Sequence, residues 1–133
     1  MSKDKTLTFA FMESPFESAR GATVFRIMSE AVSRGFNVNV FAYEGAVLMP
    51  FARQQQHANA VHGRNEVEEN HPLPKDWVAA LIAEAARRGT TFDWVNCGLC
   101  VDERGAGEAI PGVRRGSPAD FWKMAAESAN TLV

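Results

Sequence analysis

A single α/β domain with a mainly parallel sheet flanked by helices is the fold this sequence predicts, and three observations carry it. Short apolar runs alternate with stretches of helical periodicity. The first such run lacks strict alternation, as a strand buried on both faces does. The chain of 133 residues, 46% of them hydrophobic, is long enough to bury a real core in one domain over residues 1–133.

Residues 6–12 (Thr-Leu-Thr-Phe-Ala-Phe-Met) follow a charged start and predict a central first strand. After a turn-rich segment containing Pro15, the spacing of Val24, Ile27, Met28, Ala31 and Val32 predicts a helix that Gly35 stops. Residues 36–43 alternate well enough for a second strand, so strand, helix and strand imply a parallel pair joined by a crossover. From Gly45 to Pro74 the pattern loosens into a long polar excursion, partly mobile, which a short helix at residues 46–49 begins. Pro74 opens a helix with Val78, Leu81, Ile82, Ala85 and Ala86 on one face and Gly89 beyond its end. Residues 92–96 form the next strand, and residues 105–117 read as a Gly/Pro/Arg-rich loop. A helix from Pro118, with Phe121, Met124 and Ala125 inward, and a final strand at residues 131–133 complete the domain.

Composition excludes several classes. A formal net charge of −2 with interspersed signs offers no basic stripe for nucleic acid. No apolar stretch approaches a bilayer span, and the polar start lacks the apolar core of a signal peptide, so the expected location is the cytoplasm. No glycine-rich phosphate loop is present.

Function is expected in Val95-Asn96-Cys97-Gly98-Leu99-Cys100-Val101-Asp102-Glu103-Arg104-Gly105, which holds both cysteines of the chain. Cys97 falls where the strand hands over to a helical turn that ends at Gly105. Such strand ends form the ligand-binding rim of open parallel sheets, and helix starts there carry a positive field that favours the thiolate, the reactive form of cysteine. Arg104 is a candidate nearby cation, whereas Arg114 and Arg115 read as solubilising charge. In a reducing compartment C-x-x-C points to reactive or metal-bound thiols. Zinc wants four ligands and would need Cys97, Cys100 and two of His57, His62 and His71, with the long excursion folded over the strand end. Against these stand two buried, inert cysteines. A thiol redox pair is a further reading; Gly-Leu between the cysteines is unspecific, and no strand-helix order of the thioredoxin kind is evident around it. Trp77, Trp94 and Trp122 read as core or interface groups, with Trp94, Phe121 and Trp122 expected to anchor subunit contacts.

The chain resembles the DsrE/DsrF/TusD family of small sulfur-relay proteins over nearly its whole length. Cys97 is followed by Arg104-Gly105 at the interval those proteins show after their reactive cysteine. The first strand with its proline loop from Phe9 to Pro15, the segment Tyr43-Glu44-Gly45-Ala46-Val47 and the last helix and strand agree in order and spacing. The resemblance implies a DsrEFH-like, flavodoxin-like three-layer domain. It also implies assembly into homo-trimers, homo-hexamers or hetero-hexamers, and a sulfurtransferase-type carrier that holds sulfane sulfur as a persulfide on Cys97. It further implies exchange with a TusA-like carrier protein, and no cofactor beyond that covalent sulfur. Single-cysteine members have small apolar residues where this chain has Gly98-Leu99-Cys100, so Cys100 is an added thiol able to assist or resolve. The alternative is a non-catalytic structural or regulatory subunit of a hetero-oligomer, since the family contains subunits without a working cysteine.

Overall fold

In a computed structural model the chain is described at residues 2–58, 63, 64, 67, 68 and 70–133. Five strands, β1 (Thr6–Phe11), β2 (Asn37–Ala42), β3 (Phe92–Cys97), β4 (Val113–Gly116) and β5 (Asn130–Leu132), form one sheet in the order β4-β3-β2-β1-β5. Every pairing in it is parallel. Four α-helices are present among the described residues: α1 (Ala19–Ser33), α2 (Pro74–Arg87), α3 (Gly98–Arg104) and α4 (Pro118–Ala126). The single domain and its flanked parallel sheet are those the sequence predicts.

The strand pleat sorts the side chains to two faces. Phe9 and Phe11 from β1, Val38 and Val40 from β2, and Phe92 and Trp94 from β3 point toward α1 and α2. They join Phe25, Met28, Val32, Val78 and Leu81 in the larger core. Trp94 is fully buried there, with Phe25 stacked on it at 6.1 Å and Trp77 stacked on Phe25 at 5.0 Å. The expectation that Trp94 anchors a subunit contact is therefore corrected. As the middle of a strand covered on both sides, its ring faces the domain's own helices.

The opposite face carries Phe41, Val95 and Cys97, and α4, nine residues long, lies against it through Met124, with Val47 and Cys100 joining the same small core. Polar groups are buried on this side too. Thr8 and Ser128 hydroxyls share a hydrogen bond of 2.5 Å, Ser128 donates to the Met124 carbonyl, and Asn39 reaches Thr8. This network satisfies groups that would otherwise be costly to bury.

Three local readings change. Residues 113–116, expected in a loop, form β4, an edge strand whose Arg114 and Arg115 are exposed and whose only apolar residue is Val113. Charged edges of this kind lack an alternation signal because only one side of the strand is paired. Ala86, expected on the inner face of α2, is exposed, since Val78, Leu81 and Ala85 already fill the contact. The short helix expected at residues 46–49 is a 3-10 helix, Glu44–Leu48, starting two residues earlier. The described start of the long excursion is tied back to the domain. The Gln54 amide donates to the Leu48 and Met49 carbonyls and its oxygen accepts the Lys75 N–H. Of the excursion expected to be partly mobile, residues 59–62, 65, 66 and 69 lie outside the described residues.

Candidate functional site

Cys97 is the last residue of β3 and the N-cap of α3, at the C-terminal edge of the sheet. Its position follows from the sequence: β3 is apolar and central up to Asn96, and the unbranched, Cβ-free Gly98 lets the chain turn directly into a helix. α3 then runs only seven residues and ends at Gly105, whose φ of 55° is the left-handed conformation glycine supplies. Cys100 lies one turn along α3, so both sulfurs come to the same side.

Both cysteines are free and largely buried, 6% and 8% exposed. They form one end of an open apolar groove of about 440 Å³ whose other walls are Ala10, Phe41, Tyr43 and Phe121. The groove exists because α4 covers only part of its face and α3 caps only the end of β3. Leu99, between the cysteines, projects outward and is 69% exposed.

The two cysteines line the same groove and interact. Cys100 also accepts the backbone N–H of Glu44 at 3.2 Å. Burial pushes the Cys100 thiol above its ordinary pKa, and the neighbouring Cys97 adds to that; the Glu44 N–H opposes both. Glu44 has a φ of 51°, an uncommon conformation for a residue with a side chain. Three contacts hold it there. Arg104 donates to the Glu44 carboxylate at 2.6 Å. The next residue, Gly45, packs so tightly on Ser14 that no side chain fits. Asn96, buried in β3, accepts the Trp94 indole N–H at 2.8 Å and donates to the Val47 carbonyl at 3.2 Å, pinning the same turn from below.

Arg115 lies nearby. Its guanidinium packs against Gly98, the residue after Cys97, where a Cβ would stand 2.7 Å from Nε. Asp102 in α3 holds it in place with a 2.5 Å hydrogen bond, and Arg115 in turn keeps the Asp102 carboxyl below the usual carboxylate range. Arg114 alongside is bound to Asp93 and Asp120. The expectation for Arg104 is thus refined: it pairs with Glu44, whose N–H reaches Cys100, while Arg115, read as solubilising charge, pairs with Asp102 and packs against Gly98. The reason is topological, since only the pairing of β4 with β3 brings residue 115 next to residue 96. Asn96 was the signal within reach, a polar residue buried beside Trp94 and Val95 in β3.

The two described histidines are placed elsewhere. His57 packs edge-on against Phe16, and His71 stacks on Trp77. His62 lies outside the described residues. Among the described residues no three His, Cys, Asp or Glu side chains gather as a metal site. As expected, Cys97 closes β3 where the strand hands over to α3, and Cys100 sits in the first turn of that helix.

Against known families, residues 5–133 match the DsrE/DsrF-like family. The chain belongs to that family. Its members are associated with sulfur relay. A crystal structure of the ychN protein from E. coli shares the fold with a TM-score of 0.72 and 14% identity, over 99% of this chain and 98% of that one. No curated protein matches the chain in sequence. No helix among the described residues is long and apolar enough to cross a membrane.

Proposed function

We propose that this DsrE-like protein relays sulfane sulfur as a persulfide on Cys97. The observation that carries the reading is the placement of Cys97 at the C-terminal edge of the sheet, opening on an apolar groove, with the Arg115 guanidinium packed against the next residue, Gly98. Sulfur transfer needs a polarizable nucleophile able to attack a sulfur donor and then hold the sulfur until another thiolate removes it. Among side chains only cysteine does both, and its rate follows thiolate character and access. Arg115 offers a positive charge to the thiolate before loading and to the terminal sulfur after it. The apolar walls keep water and small polar thiols at a distance from the bound sulfur.

The partner in this reading is a TusA-like carrier protein, whose own cysteine enters the groove mouth past Leu99. Assembly into a homo-trimer, homo-hexamer or hetero-hexamer fits the incompletely covered face of the sheet and the exposed Trp122 at its border. A cytoplasmic location accords with free cysteines.

Intact mass measurement after incubation with polysulfide tests the reading. Wild-type protein is expected to gain mass in steps of one sulfur atom, and Cys97→Ser to gain none. Equal uptake by Cys97→Ser overturns the assignment, and a wild-type chain that takes up no sulfur from polysulfide or from a persulfidated carrier is instead a non-catalytic subunit.

A further inference from the structure

Cys100 has features that a sulfur carrier with one cysteine does not need. It follows Cys97 by one helical turn, it opens on the same groove, and a backbone N–H is aimed at its sulfur. That N–H comes from Glu44, a residue held in a left-handed conformation with its side chain clamped by Arg104 across 60 residues of sequence. A cysteine that only fills space requires no such donor, whereas a sulfur that carries negative charge during a reaction does. The spacing is suitable for a bond between the two sulfurs. Residues one helical turn apart have Cα atoms about 5–6 Å from each other, inside the roughly 4.4–6.8 Å span of disulfides.

Building on the reading of Cys97 as the persulfide carrier, we propose that Cys100 is a resolving thiol that discharges unclaimed sulfur as hydrogen sulfide. The Cys100 thiolate attacks Sγ of persulfidated Cys97, the inner of its two sulfurs. The bond from that sulfur to the outer one breaks, and its electron pair leaves with the outer sulfur as hydrosulfide, which takes up the proton Cys100 lost. A Cys97–Cys100 disulfide forms. The sulfane sulfur is reduced by two electrons and the two cysteines are oxidised by two, so no outside oxidant enters. A dithiol reductant then returns the pair to free thiols for the next cycle. Glu44 N–H holds the charge on Cys100 as it attacks, and Arg104 is the positioning residue that keeps Glu44 in place. Two fates of the bound sulfur follow: an acceptor thiolate that reaches the outer sulfur first receives it, and otherwise Cys100 ends the wait.

The test loads the full-length chain with polysulfide and removes the excess by gel filtration. Sulfide release and intact mass are then followed without reductant. Wild-type protein is expected to lose the added sulfur, release one sulfide per chain and finish lighter than the reduced chain by two hydrogen atoms. Cys100→Ser and Cys100→Ala are expected to keep the added sulfur and release none. Arg104→Ala is expected to load and then release a few-fold more slowly, with Arg104→Lys restoring the rate. A wild-type persulfide that persists, or sulfide release from Cys100→Ser at the wild-type rate, overturns the resolving role while leaving Cys97 as the carrier. Failure of Cys100→Ser and wild type alike to take up sulfur instead overturns the carrier reading on which this one rests.

Discussion

The two faces of the sheet are built from the same strands and have opposite characters. The face under α1 and α2 is closed: aromatic rings from β1, β3, α1 and α2 stack in sequence from Phe11 through Phe25 to Trp77 and Trp94. The face under α4 is half open, with its apolar residues divided between a small core around Met124 and the walls of the cysteine groove. Rigid packing on one side lets the other side leave surface uncovered, and the reactive groups collect where cover runs out, at the C-terminal edge. Such edges of parallel sheets are where ligand sites form in α/β proteins generally.

The sharpest challenge to this division is Trp94→Ala. It removes the largest fully buried side chain of the closed face and is expected to cost about 3–5 kcal/mol, read as a lower urea midpoint. A loss below about 1 kcal/mol would mean the two faces share the stabilisation more evenly than the packing indicates.

A smaller effect is expected on the open face from Cys100. Its folded-state pKa is raised, by burial first and by the Cys97 contact second. The neutral thiol therefore contributes stability that is fully present below the unfolded-state value of about 8.5 and is lost as pH rises through the folded-state value. Comparison of wild type with Cys100→Ser isolates this from other alkaline titrations. The wild-type urea midpoint should fall more than the variant's between neutral and alkaline pH, and parallel curves would mean that the thiol is not held in the environment described. Cys100 alkylation in the same series should stay slow until the pH passes the ordinary thiol range.

The least effect on folding is expected from Trp122→Lys. Its side chain is 72% exposed and rests edge-on against Phe121, so stability should change by no more than about 0.5 kcal/mol. If the open face is a subunit contact, the same substitution shifts the molecular mass seen by light scattering toward monomer. An unchanged mass would move the contact away from the border of the groove.

Local pattern alone was enough for β1, α1, β2, α2 and β3, because each buries apolar residues whose period is written in neighbouring residues, while Pro118 marked the start of the last helix, which buries only Met124. Local pattern also placed Cys97 at a strand end, since Phe92 to Asn96 ends where glycine begins. What the residues around the sulfurs do was decided by tertiary structure. Arg115 and Gly98 lie 17 positions apart in sequence and pack together only because the charged edge strand β4 pairs with β3. Glu44 reaches Cys100 through its backbone N–H, a group every residue but proline possesses, so no side-chain motif announces it. Trp94 could face either way from its strand until the two helices on one side and the single helix on the other made one face the core. A side chain's period is local, while the partner it meets depends on how distant strands are ordered, and in this protein that ordering assembled the site.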